Sequence, residues 1–136
     1  METKQAEKSW DQRAEELGKR CAASIEADIA RLRAAREEGD DDKADAIREE
    51  LQEGALSVSV RCGWQSPGDR NAEAEEYQIL LGTGGPAVRI YGRLGQFNEP
   101  EDAIIQVQDW FQPWTDYRGG DRDAVLEYAR LFYFGE

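Results

Sequence analysis

The hydrophobic period of the chain changes twice. From Ser9 to about Glu38, Leu17, Cys21, Ile25, Ile29 and Leu32 recur every three or four residues among Glu and Arg, the stripe of an amphipathic helix. Ser9 is placed to cap its first turn, and Gly39, ahead of three Asp, to end it. A second helix is expected from Asp41 to about Glu53. Its first residues are acidic, which suits the positive end of a helix dipole; Ala44, Ile47 and Leu51 share one face, and Gly54 stops the run. The two should form an αα-hairpin whose narrow stripe needs the rest of the chain, or a second copy, to cover it.

After Gly54 the period falls to two. Leu56, Val58, Val60 and Cys62 alternate with Ser57, Ser59 and Arg61, which predicts a half-buried strand with one wet face. Past the loop QSPGDRNAEAE, the stretch EYQILLGTGGPAVRIYGRL reads as a hairpin. It has strands near 77–81 and 87–94, a glycine-rich turn, and Val88, Ile90 and Leu94 opposite Arg89, Tyr91 and Arg93. DAIIQVQDW is a fourth strand. A final helix is expected from Asp121 to about Phe134, with Val125, Tyr128, Ala129 and Phe132 on its inner face. The fold class is therefore α+β: an N-terminal helical hairpin (1–54), then a four-stranded antiparallel meander with a C-terminal helix packed on it (55–136), together one compact unit.

Composition narrows the chemistry. A chain of 136 residues can bury roughly 68–70% of its extended surface, enough for one core. The net charge of −12 repels phosphate backbones and anionic lipid, so neither direct nucleic-acid binding nor membrane association is expected. Two readings of that charge remain, an ordinary solvated surface and a set of carboxylates that mimics nucleic acid for a basic cleft. There is no His, and Cys21 and Cys62 form no C-x-x-C pair, so neither a zinc site nor any cofactor is expected. No apolar run approaches the roughly 18 residues of a membrane span, and METKQAEKSW lacks a signal peptide's apolar stretch; a cytoplasmic protein with reduced thiols is expected.

Several motifs carry two readings each. LLGTGGPAVRI has the glycines of a phosphate loop, but Pro86 and an alternating strand follow where that loop needs a helix N-terminus. It reads as a hairpin turn. Asp109, Asp116 and Glu127 could supply a carboxylate pair, although Asp116 and Asp121 also suit a turn and a cap. Every basic residue after Lys43 is Arg, which holds its proton and serves binding. Arg89 and Arg93 fit either cross-strand pairing with Glu or Asp, or a ladder offered to a partner. QDWFQPWTDYRGG is the densest aromatic stretch. Pro113 takes the chain out of the sheet there, so Trp110, Trp114 and Tyr117 either close the open end of the core or offer an edge to a partner.

Four blocks in order, SV-x-VR-x-GW, ILL-x-TGGPA-x-RI-x-G, QDW-x-x-PWT and a terminal FYFGE, span about Leu56 to Glu136. In these the chain resembles a family of small uncharacterised proteins carried by phage, prophage and plasmid genomes; Trp64, Gly84, Gly85, Pro86, Arg89, Asp109, Trp110, Pro113, Trp114 and Thr115 fit its pattern. The resemblance implies a mobile-element setting and no particular mechanism. Small acidic proteins of that setting often work by stoichiometric binding to a host defence machine, as anti-CRISPR and other anti-defence inhibitors do. The expectation is thus a non-enzymatic binding protein whose partner is a host protein, such as a nucleic-acid-processing complex. Glu37, Glu38, Asp40, Asp41 and Asp42 would steer it, and Trp110, Trp114 and Tyr117, with Asp109 and Asp116 beside them, would form the contact. Two alternatives stand beside it: a carboxylate-dependent enzyme centred on Asp109 and Asp116, and a phage assembly protein forming a homodimer through its long helix.

Overall fold

A computed structural model describes residues 9–68, 73–83, 86–109 and 112–135. The N-terminal helix α1 (Trp10–Glu37) starts at a complete capping box: the Ser9 hydroxyl accepts from the Gln12 N–H, and the Gln12 side chain accepts from the Ser9 N–H. Gly39, at φ +73°, turns the chain back. Asp40 then caps α2 (Asp41–Glu53) by accepting from the Lys43 N–H at 3.0 Å.

The sheet has five strands in sequence order: β1 (Ser57–Cys62), β2 (Ala74–Gly82), β3 (Ala87–Arg93), β4 (Ile104–Gln108) and β5 (Thr115–Tyr117), all antiparallel. The α+β class and the meander agree with the sequence reading, and the strand count does not. β5 follows Pro113, and with three residues it shows no alternation of its own; it is held by pairing Tyr117 with Ile105 and Thr115 with Val107. A short helix, α3 (Arg122–Ala129), closes the fold. It ends well before the expected Phe134, because the chain leaves the helix axis and lets Phe134 pack on Tyr77 with ring centroids 4.7 Å apart.

The helices cover one face of the sheet, and only part of it. α1 packs against β4, β5, α2 and α3, burying Ile25, Ile29 and Leu32 against a sheet floor of Tyr77, Ile79, Ile90, Ile105 and Val107 in a single cluster. Gly18 sets the approach: a Cβ there would lie 2.2 Å from Cγ of Tyr117, so only glycine lets α1 sit this close to β5. At the other side of the sheet the helical layer runs out. A groove of about 450 Å³ opens between Leu17, Cys21, Ile25 and Leu51 above and Leu81 and Val88 below. β1 lies beyond it and is exposed on both faces along its whole length, against the half-buried strand expected there. Alternation sorts side chains by face but does not say whether anything covers a face.

Candidate functional site

The face of the sheet that carries no helix holds one connected set of polar and aromatic side chains crossing all five strands. Pairing fixes its rows: Leu80, Arg89, Gln106 and Asp116 lie in one row, Ser59, Gln78, Tyr91 and Ile104 in the next, and Arg61, Glu76 and Arg93 in a third.

Arg89 is at the centre. Its Nε donates to Oε1 of Gln106 at 2.8 Å, and Nη1 donates to Oε1 of Gln78 at 2.7 Å. The guanidinium lies 4.1 Å from the centroid of the Trp114 ring and 4.9 Å from that of Tyr91. Two rings and two amide oxygens thus fix a planar cation in place, an arrangement lysine could not reproduce. Burial lowers the Arg89 pKa from its ordinary value. Among the described residues no carboxylate forms a salt bridge with it.

On one side of Arg89 the ladder continues into a charged triad. The Tyr91 hydroxyl donates to Glu76, whose other oxygen takes the Arg61 guanidinium in an ion pair. The hydrogen bond from Tyr91 and then that from Arg61 hold the Glu76 carboxyl below its usual range. Burial and the Glu76 bond raise the Tyr91 phenol. On the other side, Nε2 of Gln106 donates to Asp116 at 2.7 Å, and Arg118 closes on the same carboxylate at 2.9 Å. Arg93, at the margin, pairs with Asp102 at 3.1 Å. Cross-strand pairing with a carboxylate therefore describes Arg61, Arg93 pairs with Asp102 in the loop before β4, and Arg89 is held by neutral glutamines.

The structure separates the residues singled out from the sequence. Trp114 is half-buried on the open face, stacked on Arg89. Tyr117 turns the other way and packs under α1 at Gly18. Trp110 lies outside the described residues. Asp116 is on the open face, whereas Asp109 turns to the helical layer and pairs with Arg13 of α1 at 2.7 Å. The two carboxylates thus stand on opposite sides of the sheet. Glu37, Glu38, Asp40, Asp41 and Asp42 are all exposed at the tip of the helical hairpin, where Asp40 serves as a cap and Lys43 approaches Glu38 at 3.7 Å. Glu76, Gln78 and Gln106 were not singled out. Their one signal is their place at alternate positions on the wet face of β2 and β4.

Among the described residues no group of His, Cys, Asp or Glu is arranged to hold a metal ion, and no helix is long and apolar enough to cross a membrane. Comparison with protein-family models, with curated proteins and with solved structures finds no match to the chain.

Proposed function

We propose that this is a non-enzymatic binding protein that acts stoichiometrically on a host protein through the open face of its sheet, as an anti-defence inhibitor of the anti-CRISPR kind. The observation that carries the binding reading is the Arg89 ladder. Its side chains are held by one another before any partner arrives, so docking costs little further ordering of the arginine and the two rings. Arg and Trp are also the residue types that most often dominate binding energy. The acidic hairpin tip supplies the long-range field, attracting a basic surface and repelling bare nucleic acid. The mobile-element setting comes from the motif resemblance, and it directs the reading toward a defence complex.

The two alternatives draw less from the geometry. A carboxylate-dependent enzyme on Asp109 and Asp116 would need these groups to face a common substrate, and the sheet lies between them. An assembly protein dimerising through α1 would need the apolar stripe of that helix, yet Ile25, Ile29 and Leu32 are covered within the chain.

The test is a plaque assay on a host with active CRISPR immunity, comparing the natural chain with Arg89→Met and with a hairpin-tip variant in which Asp41 and Asp42 become Asn. Restored plaquing that is lost in Arg89→Met and weakened in the tip variant supports the proposal. Immunity untouched by the natural chain counts against the anti-CRISPR reading. Restoration unaffected by Arg89→Met removes the open face from it.

A further inference from the structure

The sheet has two edges of different character. β5 is three residues long and carries Asp116 and Arg118 at its margin. Short length and charge are the usual means by which an edge strand is kept from pairing with another chain. β1 has six residues, no Pro, no Lys, and a single charge, Arg61, which is tied back to Glu76. Its only irregularity is a shift in pairing between Arg61 and Cys62, at its far end.

The direction of its free hydrogen-bonding groups follows from the pairing. Leu94 donates its N–H to the Glu75 carbonyl at 2.8 Å, which turns the odd-numbered peptides of β2 toward β3 and the even-numbered ones toward β1. In β1, Ser57, Ser59 and Arg61 stand opposite Leu80, Gln78 and Glu76 and take those bonds. The N–H and C=O groups of Val58 and Val60 therefore point out of the sheet. On the helix side the same stretch presents apolar side chains, Val58 37% exposed and Val60 45%, and the exposed Leu56 and Trp64 flank them along the chain.

We infer that β1 pairs with β1 of a second copy, antiparallel about a two-fold axis at Ser59, joining two five-stranded sheets into one of ten strands. Three observations select a second copy over a foreign strand. In this register Val58 of each chain exchanges backbone hydrogen bonds with Val60 of the other, so the outward groups of both edges are satisfied. Like then meets like without charge conflict: valine faces valine on the helix side, Ser59 faces Ser59 on the open side, and Arg61 faces Ser57. Residues 54–68 contain no carboxylate, in a chain with 29 acidic residues, so the pairing strands bring no like acidic charges face to face, although Glu73 and Glu75 lie beside Val60 and Cys62. Both helical layers fall on the same side of the joined sheet, with the exposed Val58 and Val60 of the two chains together at its centre.

The experiment is light scattering of the full chain over a concentration series at 150 mM salt, with three kinds of variant. Val60→Lys places a charge on the edge, and Val60→Pro removes an outward N–H that β2 does not use; circular dichroism checks that each is folded. In a Cys62→Ser background, Ser59→Cys sits at a non-hydrogen-bonded pair across the axis, with Cβ atoms about 4.5–5.5 Å apart, whereas Ser57→Cys does not meet itself. The expected result is a mass that rises from one chain to two, dimer affinity weakened about tenfold or more by Val60→Lys, and oxidative cross-linking at 59 but not at 57. A mass of one chain throughout, dimerisation that survives Val60→Lys, or equal cross-linking at both positions overturns the inference. So does a chain that stays monomeric and loses capture of a host protein through Val60→Lys, which would give the edge to a foreign strand.

Discussion

Gly18 offers the sharpest test of how the helical layer is seated, because two effects oppose each other there. In an exposed helix interior, replacing Gly with Ala stabilises by about 1 kcal/mol through backbone entropy alone. At position 18 the added methyl would lie 2.2 Å from Cγ, 2.4 Å from Cβ and 2.5 Å from Cδ1 of Tyr117. Carbon atoms settle at about 3.5–4.0 Å, so the shortfall exceeds about 1 Å. Turning the ring about χ1 moves Cγ and Cδ1 but leaves Cβ where the β5 backbone puts it. Relief therefore requires α1 and β5 to separate, which loosens Ala14 and Ala22 on the same face of the helix. Overpacking costs about 1–3 kcal/mol; because relief here needs a backbone shift the upper part of that range, about 2–3 kcal/mol, applies, and after the helical gain Gly18→Ala should destabilise by about 1–2 kcal/mol. With a urea slope of about 2 kcal/mol/M, the middle of the range for small proteins, the midpoint should fall by roughly 0.5–1 M. The assay is urea unfolding followed by circular dichroism, with Ala23→Gly on the exposed face of the same helix as reference. Both substitutions should lower the midpoint, although one introduces Ala and the other removes it. A midpoint raised by Gly18→Ala would show that α1 is not seated on Tyr117.

Three further outcomes follow from the same geometry. Arg89→Lys keeps the charge but loses the planar stack and one of the two glutamine bonds; a loss of about 1–2 kcal/mol in urea and a change in tryptophan emission are expected, whereas Arg36→Lys on the exposed end of α1 should change neither. Burial raises Cys21 from 9.0 to about 11, raises Tyr128 from 10.0 to about 12, and raises Tyr77 as well. Folding thus favours their protonated forms, so this stabilisation is complete below about pH 9 and is lost as pH climbs through 11 to 12; the urea midpoint should fall across that window, and Tyr128→Phe should flatten the upper part of the fall. The two free thiols should also react at different rates with a thiol reagent, Cys62 fast because it is exposed and Cys21 slowly, because it is half-buried in the groove and burial raises its thiol pKa. Equal rates in the folded protein would refute the placement of Cys21.

What the sequence reveals depends on how local the cause is. Ser9, Gly39 and Gly54 act within four residues of themselves, and the helical hairpin they bound is found where they predict it. β5 has no such local signal, since its three residues become a strand only because Gln106 and its neighbours on β4 are there to pair with. Facing is legible too: Arg89, Tyr91 and Arg93 do share the wet face of β3. Their partners are not, because an arginine surrounded in sequence by 29 carboxylates invites an acidic partner, whereas the register delivers Gln78 and Gln106 to Arg89. The aromatic stretch divides for the same reason. Trp114 lies before β5 and stacks on the open face, and Tyr117 lies at the end of β5 and faces the core; their spacing of three sorts them to opposite sides only once a strand is known to run there.

The open face and the open edge together constrain how the protein meets a partner. Joining two copies at β1 about an axis through the sheet would leave both Arg89 ladders on one continuous surface, facing away from both helical layers. The acidic hairpin tips, being on the helical side, would then flank the assembly without opposing its contact face. A ligand carrying two copies of the contact surface could be steered by the tips and still dock on the ladders, and a bivalent contact of that kind raises avidity without any new residue. The two inferences remain separable: Val60→Lys should reduce avidity for such a partner while sparing the affinity of a single ladder, whereas Arg89→Met should weaken the single ladder and leave dimerisation intact.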